Sequence, residues 1–470
     1  MSMRTPFVYI ISVLGTIIFL AAVWTALFYF QLGMPTKNTH WTSALVTNKL
    51  KAVHDSVGDK LVFVAGSSGN FNVNAEAVSK ATGIHSVNFG THAILPLEYM
   101  LDHIKGGLHK GDVVVLNLEY LYYAADERLT STYIDYLLAR DPDYFRTLSV
   151  KEKLQFISSV SLKRLITPIK ESFQKKESPY AYNVYSDFFY SPYGDQHSNN
   201  KVFLTKSMRD GRLAAPPEAR IASIFASEHN WMLLKEFKAW CKLNGVLLLA
   251  APPATIKFDV YDTPAYTDKL AALKIELENI GIPYIGDPYS VMYGRELFFD
   301  TNYHTNQEGK EAYTKALINW LKPYIKFRSE ALPVQVAPDT PVDKALKDFN
   351  GWMPLSGLLT LEGPYPASNL PVVVWGAAQT KLQVETLSAG PASFKIEFMP
   401  NKQEQPLAIL VDDQHLFSKR VIKSTDFETV EVVLPLSAGS HVITINSDDV
   451  STSSSGTSVL YRSILFTPAK

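Results

Sequence analysis

The sequence predicts a three-layer α/β domain with a parallel sheet, preceded by one membrane-spanning helix and followed by an antiparallel β-sandwich. Three observations predict this order. An apolar segment without charges opens the chain, short apolar runs then alternate with amphipathic segments, and closely spaced short runs without helical periodicity fill the C-terminal part. Strands that alternate with helices are typical of a parallel sheet covered on both faces, and regularly spaced short strands are typical of a sandwich.

The composition narrows the function classes. Of 470 residues, 46% are hydrophobic and 19% are charged, which predicts two globular units with good cores. The formal net charge of -1 argues against a broad nucleic-acid-binding surface, because such a surface needs clustered Lys and Arg. Cys241 is the one cysteine, so an intramolecular disulfide is excluded, and its apolar neighbours indicate a buried filler rather than a nucleophile.

Residues 1–34 are predicted to be an uncleaved signal anchor. No charge occurs from Phe7 to Phe30, and this stretch exceeds the roughly 20 residues that cross a bilayer. It ends in bulky aromatic residues, among them Trp24 and Tyr29, where a cleaved signal peptide would carry small residues. The charges on the two sides nearly balance, but the short N-terminal tail favours an N-terminus inside and the bulk of the chain on the extracytoplasmic side.

Residues 35–326 are predicted to form the α/β domain, with an irregular insertion at about 125–217. The predicted strands include Leu61 to Ala65, Val113 to Leu116 and Val246 to Ala251, and the predicted helices include Asn74 to Thr82, Ser227 to Leu243 and Thr267 to Ile280. The insertion is rich in Tyr and Phe without a clear period. Two interpretations stay open: a cap whose aromatic rings stack on sugars, and an insertion packed on the main domain.

Residues 327–348 are predicted to be a linker, because Leu332 to Pro341 holds three prolines among small and polar residues. Residues 349–470 are predicted to be the sandwich. Its predicted strands are Val372 to Trp375, Lys381 to Thr386, Ser393 to Phe398, Leu407 to Val411, Thr429 to Leu434, His441 to Ile445 and Ser458 to Phe466.

A candidate nucleophile follows the first predicted strand. Val62 to Ala65 is apolar, Gly66 permits a tight turn, and Ser67 and Ser68 follow it, of which Ser68 is the candidate. A serine at a strand end exposes its hydroxyl beside backbone N–H groups that can bind an oxyanion. The same Gly-Ser-Ser pattern also occurs in ordinary turns. A phosphate-binding loop is disfavoured because no Gly-Lys-Ser/Thr follows.

A candidate base and its orienting acid lie near the end of the domain. Asp300 and His304 precede a predicted helix whose start is marked by Thr305 to Glu308. A carboxylate that holds a histidine in one tautomer is what a serine nucleophile requires. An Asp/His pair can also bind a metal, but no third ligand lies near it in sequence, so no metal and no cofactor are expected.

Together these motifs resemble the SGNH/GDSL hydrolase superfamily, over roughly Lys60 to Lys326. The Gly-Ser-Ser form is similar to that of membrane-anchored D-alanyl transfer proteins of teichoic acid modification and of alginate and cellulose O-acetyltransferases. The resemblance implies a flavodoxin-like sheet and a triad of Ser68, Asp300 and His304. It further implies an oxyanion hole to which Gly90 and Asn117 contribute.

The chain departs from that pattern in two places. Three residues separate Asp300 from His304 where the family has two, which puts the position of the acid in doubt. The family's Gly-Asn-Asp-like block is missing, and Asn117 is the one candidate for its asparagine.

The resemblance implies acyl transfer to, or ester hydrolysis on, an extracytoplasmic polysaccharide, with a multipass membrane O-acyltransferase as a partner. The C-terminal domain looks like a carbohydrate-binding module, and Trp352 and Trp375 are candidate sugar-stacking platforms or, equally, core residues. The alternative is a non-catalytic polysaccharide-binding or assembly factor that keeps the fold, which the longer Asp/His spacing favours.

Overall fold

The computed structural model describes residues 4–56, 58–126, 128–172, 181–182, 190–196, 199, 203–328, 348–365, 370–401, 403–448 and 458–468. Residues 329–347, which make up most of the predicted linker at 327–348, and most of the aromatic part of the predicted insertion lie outside these residues.

The N-terminal two thirds hold all the helices of the described chain. They are α1 (Arg4–Phe30), α2 (His40–Asp55), α3 (Ser67–Asn72), α4 (Ala75–Thr82), α5 (Leu97–Lys105), α6 (Leu121–Ala124), α7 (Ser131–Arg140), α8 (Pro142–Thr147), α9 (Val150–Ser159), α10 (Leu162–Ser172), α11 (Lys206–Ala214), α12 (Glu228–Asn244), α13 (Pro264–Asn279) and α14 (Gln307–Leu321). The strands there are β1 (Lys60–Ala65), β2 (His85–Gly90), β3 (Val113–Leu116), β4 (Ala181–Tyr182), β5 (Leu247–Ala250), β6 (Thr255–Ile256) and β7 (Met292–Tyr293).

Four of these strands form the parallel sheet that the sequence predicts, in the order β2-β1-β3-β5. The register sets Val64 beside Leu116 and Ala65 beside Gly90, so β1, β2 and β3 end at one level. The segments that follow their carboxyl ends therefore meet at one edge of the sheet, where ligands of open parallel sheets bind.

Helices cover both faces of this sheet. Val62 and Val64 of β1 point into a core shared with α5 and α12, whereas Leu61 and Phe63 point into a second core shared with α4 and α14. Alternate residues of a strand face opposite sides of its sheet, so a strand buried on both sides reads as a continuous apolar run. The three-layer arrangement explains why β1 and β3 were recognisable from the sequence.

Helix α1 is apolar and largely exposed, but its last two turns pack on the domain. Its 23 residues from Val8 to Phe30 have a mean hydropathy of 2.4, which suits a membrane anchor or a signal sequence. The Trp24 indole N–H donates to the Ile157 carbonyl at 2.8 Å, and the ring of Phe28 lies 5.3 Å from that of Phe145. Helix α1 is thus joined to α8 and α9 by side-chain contacts as well as by the chain.

Five helices, α7 to α11, occupy the region where the sequence showed no clear period. Four of them begin at side-chain caps, in which Thr130, Asp141, Ser149 and Thr205 accept hydrogen bonds from backbone N–H groups of the first turn. These helices have 6 to 11 residues, and α9 and α10 expose apolar side chains as well as burying them. Helices of this length fill less than, or barely, the window of about 11 to 18 residues over which a helical period is recognised in a sequence.

The C-terminal domain is an antiparallel β-sandwich. Its strands are β8 (Phe349–Asn350), β9 (Met353–Glu362), β10 (Val373–Thr386), β11 (Gly390–Pro400), β12 (Glu404–Val411), β13 (Gln414–Ile422), β14 (Glu428–Leu436), β15 (Gly439–Asn446) and β16 (Val459–Thr467). The two predicted runs at 372–375 and 381–386 are one continuous strand, β10, which pairs with β16 through its first part and with β15 through its second. It thereby connects the two layers.

The sandwich packs directly against the α/β domain. Phe71 of α3 and Phe299 lie in the same apolar cluster as the sandwich residues Leu361 and Trp352. Arg209 of α11 donates to two backbone carbonyls of β9, and β4 adds two residues to the edge of β9. The domains are therefore joined both by apolar contacts of Phe71 and Phe299 and by two elements, α11 and β4, that lie between β3 and β5.

A buried polar network fixes the 190–196 segment behind the sheet edge. Asp195 accepts hydrogen bonds from the Ala75 and Glu76 N–H groups at the start of α4, at 2.8 and 2.9 Å. The same carboxylate accepts from the Asn88 side-chain amide at 3.2 Å, and the buried Lys49 ammonium donates to Gly194 O at 2.7 Å. The Asp195 carboxylate is the acceptor that the three donors share.

We expect Asp195→Ala to lower the free energy of unfolding by roughly 3 kcal/mol, because it leaves the Ala75 and Glu76 N–H groups without an acceptor. The measurement is the melting temperature of the full chain in detergent. The control is Asp143→Ala, since the Asp143 side chain is 86% exposed and its ion pair with Arg146 lies at the surface. Equal melting temperatures for the two variants would contradict this role of Asp195.

Candidate active site

Ser68 lies in the first turn of α3, directly after β1, as the sequence predicts. The residue is fully buried, and its hydroxyl oxygen has no hydrogen-bond partner among the described residues. A Cβ on Gly66 would lie 2.6 Å from the Tyr122 hydroxyl, so only glycine fits the turn that leads to this serine. The turn therefore presents Ser68 at the carboxyl edge of the sheet in a closed environment.

The carboxylate of Glu119 holds this turn. It accepts from Gly66 N–H at 3.0 Å and from Ser68 N–H at 2.7 Å. Burial raises the pKa of the Glu119 carboxyl, and the hydrogen bonds from Ser68 and Gly66 oppose that increase. The Ser68 N–H, which a serine enzyme ordinarily offers to an oxyanion, is thus already bound to an internal acid.

Asp300 and His304 form a pair despite the three residues between them. His304 Nδ1 lies 2.7 Å from Asp300 Oδ1, and the loop is closed by a hydrogen bond from Phe299 N–H to His304 O, also 2.7 Å. The Thr301 hydroxyl accepts from the His304 N–H at 3.2 Å. The extra residue is accommodated within this closed loop, and Nδ1–H···Oδ1 donation leaves Nε2 as the acceptor of a neutral ring.

The His304 loop is fastened to α3, the helix that carries Ser68. The imidazole of His304 stacks on the Phe71 ring, with centroids 4.1 Å apart and an interplanar angle of 9°. Thr305 donates its N–H to Asn72 Oδ1 at 3.0 Å and its hydroxyl to Phe71 O at 3.1 Å. Three contacts thus hold the loop against one helix, which brings the predicted nucleophile, base and acid to one edge of the sheet.

Helix α14 begins where the sequence places a helix start, but the cap is Asn306, and Gln307 is the first helical residue. The Asn306 side chain accepts from Gly309 N–H at 3.0 Å and donates to Glu296 O at 2.7 Å. The cap therefore also ties the His304 loop to the segment that precedes it.

The two predicted oxyanion donors differ in availability. Gly90 N–H donates to the Asn88 side-chain oxygen at 2.8 Å, so this donor is not free for an oxyanion in the described geometry. Neither polar atom of the Asn117 amide has a hydrogen-bond partner within the described part of the chain. A Cβ on Gly69 would lie 3.2 Å from Asn117 Nδ2, which sets this free donor beside the Ser68 helix.

A second histidine, His92, lies near His304. Its Nδ1 accepts from Ile94 N–H at 3.0 Å, which fixes the neutral tautomer with the proton on Nε2. Burial, with a smaller contribution from His304, lowers the pKa of His92 to about 4. The site therefore holds a second imidazole that stays neutral over a wide pH range.

The two candidate sugar platforms have different surroundings. Trp352 is 5% exposed, lies in the core of the sandwich and donates its indole N–H to Ile464 O at 2.8 Å, so no sugar ring can stack on it. Trp375 is partly buried and donates to Glu362 Oε2 at 3.2 Å, an oxygen that also accepts from the Tyr365 hydroxyl. Of the two, only Trp375 keeps part of its surface in solvent.

Among the residues that the structure describes, no group of three or more His, Cys, Asp or Glu side chains is arranged to hold a metal ion.

Glu119, Phe71 and His92 contribute to the site but were not predicted from the sequence. Glu119 had a recognisable signal, because it is a charged residue within an apolar run, Leu116 to Tyr123, that follows a strand and also holds Asn117. Buried charges in such positions are paired or hydrogen-bonded. Phe71 and His92 had no comparable signal, because a lone aromatic residue or histidine is more often structural.

The lowered pKa of His92 predicts a loss of stability in acid. A histidine whose folded-state pKa lies below its ordinary value near 6.5 is protonated more readily in the unfolded chain, so stability falls as the pH drops from about 6.5 towards about 4. We expect the melting temperature of His92→Asn to fall less between pH 7 and pH 5 than that of the wild type. The control is His415→Asn, because the His415 side chain is exposed. If the melting temperature of His92→Asn fell with pH as much as that of the wild type, His92 would not be the source of the acid sensitivity.

Comparisons with known proteins concern the sandwich. No protein-family model matches the chain, and no curated protein matches it. Similar solved structures include a family 35 carbohydrate-binding module from an environmental isolate, with 16% identity, 25% of this chain and 86% of that chain covered, and a TM-score of 0.20. A family 35 module from Paenibacillus barcinonensis has 14% identity, 26% and 94% coverage and a TM-score of 0.19.

The Podospora anserina GH26-CBM35 β-(1,4)-mannanase has 15% identity, 26% of this chain and 25% of that chain covered, and a TM-score of 0.17. This chain therefore spans about a quarter of that enzyme's length. The fold described here is a parallel α/β sheet domain with an apolar N-terminal helix and a C-terminal antiparallel β-sandwich.

Proposed function

We propose that this chain is a membrane-anchored serine acyl-transfer enzyme of the SGNH type that acts on an extracytoplasmic polysaccharide. The observation that carries the proposal is the Asp300–His304 pair, whose ring stacks on the same helix that carries Ser68. Such a pair gives a serine hydroxyl a base in the correct tautomer.

The proposed reaction has two transfers. The Ser68 Oγ attacks the carbonyl carbon of an ester donor while its proton passes to His304 Nε2, and His304 then protonates the departing alkoxide, which leaves an acyl-serine. A sugar hydroxyl, or water, attacks the acyl-serine, its proton passes to His304 Nε2, and that proton returns to Ser68 Oγ as the new ester, or the free acid, leaves. Asn117 Nδ2, which lies beside the Ser68 helix, is the proposed donor for the oxyanion of both tetrahedral intermediates.

Glu119 sets a condition on this mechanism. While its carboxylate accepts from Ser68 N–H, an oxyanion cannot use that donor, and two negative charges would compete for one position. The complete burial of Ser68 sets a second condition, because a substrate must open the site before it reaches the hydroxyl. We infer that the described geometry is a resting state and that donor binding displaces the Glu119 carboxylate from Ser68.

The anchor is part of the proposal. Trp24 and Phe28 contact α8 and α9, and a segment removed after export would leave these contacts unmade. These contacts support a retained anchor, with the N-terminus inside and the domains on the extracytoplasmic side. The polysaccharide acceptor and a multipass acyltransferase partner follow from the motif resemblance.

A serine-directed fluorophosphonate tests the catalytic proposal on the full chain in detergent. We expect covalent labelling that Ser68→Ala abolishes and that Ser67→Ala, the neighbouring serine in the same turn, retains. Asp300→Asn should slow labelling by roughly 10²-fold or more, because it removes the acid that orients His304. Labelling that persists in Ser68→Ala would assign the reaction to another residue.

The closed site favours a second candidate, a polysaccharide-binding or assembly factor without catalysis. The observation that supports this candidate is the hydrogen bond from Ser68 N–H to Glu119, because a permanent bond would keep that donor from any oxyanion. This alternative predicts a folded chain that no fluorophosphonate labels but that polysaccharide still retards in affinity electrophoresis. Retardation should weaken in Trp375→Ala, and the partly buried Trp240 on α12 provides the matched control, Trp240→Ala.

A further inference from the structure

Helices α9 and α10 each expose a line of apolar side chains. In α9, Val150 and Leu154 are 74% and 61% exposed, and Ile157 continues their i, i+4, i+7 spacing. In α10, Leu162, Ile166 and Ile169 repeat that spacing and are 57%, 40% and 42% exposed. Each helix also packs on the domain through a buried side chain, Phe156 in α9 and Leu165 in α10.

The point at which α9 contacts α1 defines how deep α9 and α10 would lie in a bilayer that α1 crosses. The hydrogen bond from Trp24 to Ile157 O places residues 158–161, which join α9 to α10, level with Trp24. We call these residues, together with the exposed apolar sides of the two helices, the α9–α10 corner. If the hydrocarbon core starts just after Arg4 and takes about 20 residues of helix, it ends near Trp24. A corner at that level lies at the boundary between acyl chains and headgroups.

Polar contacts of Arg164 hold the corner at this level of α1. Arg164 at the start of α10 donates to Gln31 Oε1 and Met34 O, both at 3.3 Å, and its guanidinium pairs with Asp135 of α7. Asp135 in turn accepts from the Thr36 hydroxyl at 2.9 Å. The chain that leaves α1 is therefore fixed to α7 and α10 and does not act as a free hinge.

Charges beside the apolar lines match a lipid surface. Lys151, Lys163 and Lys170 are exposed and flank the exposed apolar residues of α9 and α10. An interfacial helix buries its apolar side among acyl chains and keeps Lys and Arg near anionic headgroups. The pattern of both helices fits this environment.

We propose that the α9–α10 corner lies in the lipid leaflet through which the C-terminal end of α1 emerges, so that the domain contacts the bilayer at a second place. The bilayer is favoured over a protein partner because α9 contacts the C-terminal part of α1, a helix that itself exposes apolar side chains along most of its length. This inference rests on the membrane-anchor part of the proposed function and is independent of the chemistry at Ser68.

Fluorescence quenching in nanodiscs tests the corner. The full chain, in a Cys241→Ala background, carries an NBD label at Leu154→Cys or Leu162→Cys, and the phosphatidylcholine/phosphatidylglycerol discs contain either a doxyl-labelled or an unlabelled lipid. We expect doxyl lipid to reduce NBD emission at both positions at least about twofold, since both side chains would lie among acyl chains. The matched control is Leu243→Cys on α12, which is 86% exposed, lies outside the corner and should be unaffected.

A label at Ile18→Cys, in the middle of α1, separates two kinds of failure. Quenching at Ile18 without quenching at Leu154 and Leu162 would overturn the corner while leaving the anchor intact. No quenching at Ile18 would overturn the anchor and the corner together. Equal quenching at Leu243 would also overturn the proposal, because the contact would then not be specific to α9 and α10.

Discussion

The site depends on one buried carboxylate that accepts two backbone N–H groups. Glu119 follows β3, and the turn it holds follows β1, so the contact joins the carboxyl ends of two neighbouring strands. Without an acceptor, the Gly66 and Ser68 N–H groups would be buried and unsatisfied, which costs about 1–3 kcal/mol for each group. The position of α3, and through Phe71 and Thr305 that of the His304 loop, depends on this turn.

The contact between Glu119 and the Ser68 turn has two effects, one that favours the proposed chemistry and one that opposes it. It positions α3, the helix that carries Ser68 and on which the His304 ring stacks. Under the proposed acyl transfer, the same carboxylate would place a negative charge where the intermediate needs a hydrogen-bond donor. The proposed function therefore requires that substrate binding separate Glu119 from Ser68.

The parts of the fold that the sequence predicted are those in which local pattern and burial agree. Strands β1 and β3 are buried on both faces and read as apolar runs, and α12 ends at Gly245, whose φ of 69° explains the stop. Strand β13 was missed because most of its side chains are exposed, so it lacks an apolar alternation. The merger of two runs into β10 depends on pairing with two different strands, which local sequence does not encode.

Ser68, Asp300 and His304 were singled out by their context, at a strand end and before a helix, and by the motif resemblance. Asn117 was proposed through that resemblance, and the roles of all four residues stay predictions. The commitment of Gly90 N–H to Asn88 depends on side-chain direction in the folded state. The burial of Trp352 depends on how the sandwich layers meet. Neither can be deduced from residue spacing.

The stacking of His304 on Phe71 has a consequence for modularity. Phe71 belongs to the apolar cluster of the sandwich, so the side chain that supports the candidate base is also a packing residue of the C-terminal domain. The two domains are therefore not independent units. Removing the sandwich would expose the far side of Phe71 and loosen the histidine, and evolution could exchange this β-module only by rebuilding the surface behind the candidate base.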